Sequence, residues 1–252
     1  MDTTTNIALE YHVQTRNSVA YKYMRNEHFV HYRDDIKKVT HERSVERRGR
    51  EVKLPMAAAL RDVSFNQAMV GRASRRDFAG TLTARELASI LYYAVGIKAV
   101  ESPLGGTRYN HFAASSGGMN SVDLFPIVLD VEGIDPGIYH YDVRRHALTL
   151  VRPGDFRTWL DHELFYQTEW SRAGVVLAMT SSLGRLARKY GPRAYRLSLF
   201  DTGLVAQNIY LTASALQLKA CASAGFIDDV LDEALQVDGY DVASFLTVMV
   251  GK

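Results

Sequence analysis

From residue 55 onward, apolar and polar positions follow the periods of a mixed α and β chain. Residues 55–69 predict a helix, with Pro55 at its start and Gly71 as its breaker. Residues 83–93 predict a better one: Thr83 and Glu86 have the spacing of a capping box, Leu87, Ile90 and Leu91 recur at helical spacing, and Gly96 supplies the stop. Residues 102–118 are rich in Gly and Ser and read as loop. Strands are expected at 123–131, at 137–142 and 147–151 around a turn holding Arg144 and Arg145, at 173–180, and at 244–250. The 173–180 run is short and apolar and reads as buried. Residues 199–218 predict a long, largely apolar helix with few charges. Such a helix needs cover on most sides, from its own core or from a second subunit. Strands and helices alternate irregularly, so the fold class is α+β rather than a regular βαβ series.

Residues 1–54 have a different character. They are polar, aromatic and basic, with Arg33, Lys37, Lys38, Arg43, Arg47, Arg48, Arg50 and Lys53 interleaved with acids. This divides the chain into an N-terminal arm or small subdomain, 1–54, and a main domain, 55–252. The arm reads as a solvated surface or as a docking surface for a partner protein or peptide.

Composition narrows the function classes. The chain has 252 residues, 47% of them apolar, enough to bury a real core. The formal net charge of +2 gives no general case for nucleic acid or an anionic membrane. A lone cysteine, Cys221, permits neither an intrachain disulfide nor a multi-cysteine metal site. Residues 1–9 are polar and lack the apolar core of a signal peptide, and no apolar run approaches the roughly 20 residues that span a bilayer. A soluble cytoplasmic protein is expected.

Several common catalytic signatures are missing. There is no Gly-rich dinucleotide fingerprint after a strand and no phosphate loop ending in Gly-Lys-Ser/Thr. His162-Glu163 has no second histidine at metalloprotease spacing, Ser223 lacks the first glycine of a nucleophile elbow, and the eight histidines are scattered, so no metal site is predicted. Four segments carry candidate chemistry. Arg72, Ser74, Arg75 and Arg76 form a compact cluster of forked donors and a hydroxyl suited to phosphate, or else an ordinary Arg-rich turn. Ser115, Ser116, Gly117, Gly118 and Asn120 let a flat ligand approach the backbone, or form a plain flexible loop. Lys189 and Tyr190, in a basic stretch reaching Arg196, offer a general acid or base, or a basic loop before a helix. The small residues of 221–226 could pack amides against a planar ring or form a buried turn.

Together, in this order and spacing, these segments resemble the SagB-type dehydrogenases, a branch of the FMN-dependent nitroreductase-like flavoproteins. The resemblance covers nearly the whole chain. It runs from Glu10-Tyr11-His12 and Lys53-Leu54-Pro55 through the Arg72 to Phe78 segment, Ser115-Ser116-Gly117-Gly118 and Gly137-Ile138-Tyr139-His140-Tyr141-Asp142. It continues through Lys189-Tyr190-Gly191-Pro192-Arg193, Asp201-Thr202-Gly203 with Gln207-Asn208, and the turn ending at Gly225-Phe226. The resemblance implies an α+β sandwich, an antiparallel or mixed sheet flanked by helices, that forms a homodimer around a long central helix with FMN at the interface. Arg72, Ser74 and Arg76 would hold the FMN phosphate and ribityl chain. Ser115, Ser116 and Gly117 would lie against the flavin, contributed in this fold by the second subunit. Ala224 and Gly225 would sit near the reactive edge of the isoalloxazine. Two departures stand out: Ala114-Ser115 replaces the usual Pro-Ser, and the chain ends at Lys252 where relatives continue with basic residues that reach the phosphate.

The implied activity is azoline oxidation: a thiazoline or oxazoline ring in a peptide loses a proton and a hydride, the hydride going to flavin N5, to give a thiazole or oxazole, with oxygen as the final oxidant. Lys189 and Tyr190 match the family's catalytic pair; either is the base, and the other tunes it. The expected partners are a peptide substrate and a cyclodehydratase or carrier protein. Two rival functions remain open: a general NAD(P)H-dependent nitro- or quinone reductase on the same fold, and a non-catalytic scaffold subunit of a peptide-modifying complex that recruits a partner through the basic arm. A nucleic-acid-binding arm is disfavoured by its interleaved acids.

Overall fold

A computed structural model describes residues 3–16, 47–60, 62–101 and 107–252. Arg33, Lys37, Lys38 and Arg43 of the basic arm lie outside the described residues. The described strands are β1 (Glu51–Lys53), β2 (Ile97–Glu101), β3 (Thr107–His111), β4 (Val122–Val128), β5 (Gly137–Asp142), β6 (Ala147–Pro153), β7 (Val175–Ser181), β8 (Lys219–Ser223) and β9 (Ala243–Gly251). The helices are α1 (Thr3–Gln14), α2 (Phe65–Gly71), α3 (Ala84–Val95), α4 (Leu183–Tyr190), α5 (Ala194–Ala215) and α6 (Asp228–Leu235).

Seven strands form one sheet in the order β1-β6-β5-β4-β7-β9-β8, with every neighbouring pair antiparallel. β2 and β3 make a separate antiparallel hairpin. The central strands are apolar at nearly every position because both faces of the sheet are covered. On β4 and β7, Leu124, Val128, Leu177 and Met179 face the side of α3 and α5, where Leu87, Ile90, Val205 and Ile209 meet them. The alternate residues Phe125, Ile127, Val176 and Ala178 face a second core built from Leu160, Leu164, Trp170, Leu231 and Leu235. This period of two is the pleat of a strand buried on both sides.

The α3 start follows its sequence signal. Thr83 Oγ1 accepts from Glu86 N–H, and the Glu86 carboxylate accepts from Thr83 N–H at 2.7 Å. The helix expected over 55–69 is instead confined to α2, which begins at a second capping box between Ser64 and Gln67. The preceding stretch is held non-helical by α3: Ala58 N–H donates to Ser89 Oγ at 2.8 Å, and Tyr93 Oη donates to Ala58 C=O at 3.0 Å. Within the predicted loop 102–118, residues 107–111 are strand β3 rather than loop. The long helix starts at Ala194, inside the basic stretch that could be read as a loop before a helix, with Ala194 and Ser198 buried in its first turns, and it ends at Ala215 rather than 218. β1, β2, α1 and α6 carried no sequence prediction; Lys189 and Tyr190 end helix α4 rather than lying in a loop, and residues 221–223 belong to strand β8 rather than to a turn. β1, which precedes residue 55, forms one edge of the sheet.

α1 is fastened to the start of α5. Arg196 donates to Thr15 Oγ1 at 2.6 Å and to His12 C=O at 2.7 Å, and Arg193 donates to Thr15 C=O at 3.1 Å. The Tyr11 and Tyr195 rings meet edge to face at 5.3 Å. Cations at the last carbonyls of a helix complement its dipole.

Candidate active site

Two clusters of predicted site residues sit on α5. The first is at β8. Residues 72–78 run beside this edge strand: Ser74 bridges Ala220 in parallel sense, and Arg75 N–H donates to Ala220 C=O at 2.9 Å. Tyr210 on α5 fixes the junction. Its hydroxyl accepts from Ala222 N–H at 2.7 Å and is hydrogen-bonded to Ser74 Oγ at 3.0 Å. The Arg72 guanidinium lies over the Tyr210 ring at 5.5 Å and that of Arg76 over the buried Trp170 ring at 5.6 Å. Arg72, Ser74 and Arg76 are all exposed, so two guanidiniums and a hydroxyl are presented on one rim. Lys219, on β8, is committed to the Asp77 carboxylate at 2.8 Å, and Lys252 lies 3.6 Å from Glu86. Beyond β8, Ala224 and Gly225 are exposed; Gly225 N–H donates to Ser223 Oγ at 3.1 Å. Cys221, in this strand, is buried, and burial pushes its thiol above the ordinary range.

The second cluster brings Lys189 and Tyr190, at the end of α4, to the turn at Ser116–Gly118. Gly117 has φ +59, and a Cβ placed on it would overlap Tyr190 Oη and come within 2.6 Å of Lys189 Nζ. Both functional groups therefore converge on the bare backbone of Gly117. Lys189 Nζ also lies over the Tyr190 ring at 5.2 Å. The turn is anchored from behind. Ser116 N–H and Oγ donate to Asp201 Oδ1 at 2.9 and 2.8 Å, and Ser121 Oγ donates to Oδ2 at 3.1 Å. Ser115 Oγ donates to Asn120 Oδ1 and accepts from Asn120 N–H. Burial raises the Asp201 carboxyl above its ordinary pKa, and the Ser116 and Ser121 bonds partly offset the rise.

Asp201 and Tyr210 are nine residues apart on one helix, roughly 13.5 Å along its axis. Sequence motifs pointed to the two clusters, and the family resemblance included Asp201 without giving it a role; Arg185, Tyr210 and Trp170, which also mount the clusters, carried no expectation. A carboxylate in the middle of an apolar helix was the signal available for Asp201.

The sequence model of one family matches residues 69–252. The chain belongs to the nitroreductase family. It is 28% identical over 191 residues to a protein carrying the name nitroreductase in Methanocaldococcus jannaschii, covering 75% of this chain and 91% of that one. It is 25% identical over 154 residues to the trifolitoxin-processing protein TfxB of Rhizobium leguminosarum bv. trifolii, covering 59% of this chain and 41% of TfxB. Among solved structures, a nitroreductase-named protein of Anabaena variabilis matches with TM-score 0.61 and 28% identity, over 73% of this chain and 37% of that one. A chain of the E. coli microcin synthetase McbBCD complex, solved with truncated pro-MccB17 bound, matches with TM-score 0.58 and 18% identity, over 100% of this chain and 94% of that one. An Exiguobacterium sibiricum protein solved in complex with FMN matches with TM-score 0.52 and 15% identity, over 78% and 90%. The chain thus spans less than half the length of TfxB and of the Anabaena protein. The architecture is the nitroreductase fold, and the chain is an oxidoreductase of that family. Among the described residues, no helix is long and apolar enough to cross a membrane.

Proposed function

We propose that this chain is a cytoplasmic, FMN-dependent azoline dehydrogenase of the SagB-type branch, converting thiazoline or oxazoline rings in a peptide to thiazoles or oxazoles. The observation that carries the proposal is the convergence of Lys189 Nζ and Tyr190 Oη on Gly117, in the loop predicted to lie against the cofactor. A simple carrier of electrons from NAD(P)H has no need of a paired amine and phenol there. The names of TfxB, a toxin-processing protein, and of the McbBCD synthetase add support for peptide modification.

The cofactor is FMN. The residues present fit it: exposed Arg72, Arg76 and Ser74 suit a phosphate, and exposed Ala224 and Gly225 leave the backbone open to a planar ring. When bound, FMN supplies a two-electron acceptor. The protein's own task is to hold the peptide ring in place and take a proton from it, the role of Lys189 or Tyr190. A homodimer about α5 would bring the serine loop of one subunit to the arginine rim of the other. Its support is the exposed apolar side chains Leu199, Phe200 and Leu204 on α5. A cyclodehydratase or carrier protein would deliver the peptide.

The first test is the absorbance spectrum of the purified protein with identification of released chromophore, followed by mass spectrometry of an azoline-containing peptide. Flavin bands and the loss of two hydrogens per ring are expected. Rapid bleaching by NADPH with no ring oxidation would assign a nitro- or quinone reductase instead. A colourless protein that takes up no FMN would sink the enzyme reading and favour the scaffold.

The arginine rim has its own test. Arg72→Ala and Arg76→Ala should each weaken FMN binding by about ten- to a hundredfold, the worth of a charge-assisted hydrogen bond. Fluorescence titration of the apoprotein with FMN checks this. Unchanged affinity in both variants would remove the rim from the phosphate site.

A further inference from the structure

We propose that Asp201 and Arg185 are positioning residues that hold the 115–121 loop in register with Lys189 and Tyr190. The turnover part of this inference rests on the azoline reading; the geometric part does not. The loop is gripped at two points by groups of opposite charge. On α5, Asp201 is 2% exposed and spends both carboxylate oxygens on the loop, accepting from Ser116 N–H, Ser116 Oγ and Ser121 Oγ. On α4, Arg185 donates from its guanidinium to Asn120 C=O at 2.9 Å. Arg185 and Lys189 are four residues apart on that helix and so share a face. One helical face therefore fixes the loop at Asn120 and brings the amine to it at Gly117.

Burying a carboxylate is costly unless hydrogen bonds compensate it. The other buried positions of α5 are apolar side chains or hydroxyls, which fill the same space without that cost. What the carboxylate adds is a fixed, three-donor mount for the Ser116–Gly118 turn. Gly117 leaves no slack between that turn and the two functional groups, so any shift of the turn displaces them.

The test compares Asp201→Ala with Asp201→Asn in the FMN-loaded protein. The asparagine oxygen can accept both Ser116 bonds, and its NH2 can donate to Ser121 Oγ once that hydroxyl turns. Asn should therefore rescue what Ala loses. Amide exchange in residues 115–121 should quicken about tenfold or more in Asp201→Ala and stay near wild type in Asp201→Asn. The kcat per bound flavin for azoline oxidation should fall about tenfold to a hundredfold in the Ala variant, with KM little changed, as expected for misplacement on the order of 1 Å. If Asp201→Ala does not fold, Ser121→Ala and Arg185→Met remove one grip each and should show smaller changes of the same kind. A purely structural role would lower flavin content and melting temperature while leaving kcat per bound flavin unchanged. That result, unchanged exchange in the loop, or an Asn variant as impaired as Ala would overturn the proposal. If the wild-type protein oxidises no azoline but the exchange pattern appears, the azoline reading falls and the positioning role stands.

Discussion

Tyr190→Phe and Lys189→Ala should each slow azoline oxidation by about 10²- to 10⁴-fold, the range for a lost general acid or base, while FMN stays bound. Neither side chain belongs to the arginine rim, so flavin content should not follow activity. Tyr190→Phe is the cleaner change. It removes one oxygen and leaves the ring beneath Lys189 Nζ, 5.2 Å from its centroid. Because the two groups meet at one backbone position, they should act as a unit. The double variant should be about as slow as the slower single one, since effects within a catalytic unit do not add. Single-turnover reduction of the flavin by an azoline peptide, followed by absorbance, separates this step from later ones. Full-rate oxidation by either single variant would remove that residue from the mechanism.

What was legible in the sequence follows the range of the forces involved. The α3 start is local: Thr83 and Glu86 satisfy each other's backbone three residues apart, and the structure places the cap where the spacing predicts it. β4 and β7 are legible because both faces are buried, so their apolar runs are nearly unbroken. Residues 55–60 are not, because the partners of Ala58 are Ser89 and Tyr93, more than thirty residues away. β3 reads Thr-Arg-Tyr-Asn-His and has no apolar alternation to announce it. The same divide runs through the site. Resemblance to a family named Lys189, Tyr190 and the serine loop separately. Their meeting at Gly117, and the Asp201 mount behind them, are tertiary facts joining segments more than seventy residues apart. The basic residues Arg193 and Arg196 blurred the start of α5, since they read as loop until their distant partners at the end of α1 are known.

Gly117→Ala should abolish most turnover, and Gly118→Ala should not, although both glycines have left-handed backbones. Gly117 has φ +59 and Gly118 φ +70, so a side chain at either carries a strain of about 1–2 kcal/mol. The surroundings differ. A Cβ on Gly118 meets nothing within 4 Å, whereas one on Gly117 would overlap Tyr190 Oη and crowd Lys189 Nζ. Both neighbours are ends of side chains, so the fold can accommodate the methyl group by moving them. The accommodation displaces the two groups proposed to handle the proton, and displacement on the order of 1 Å is enough for about a hundredfold loss. Thermal melts of the two variants should therefore fall together while their kcat values diverge, with Gly117→Ala resembling Tyr190→Phe. Equal kcat losses would trace the effect to backbone strain in the loop. Equal retention would show that Lys189 and Tyr190 work from some other position, and the convergence at Gly117 would lose its functional meaning.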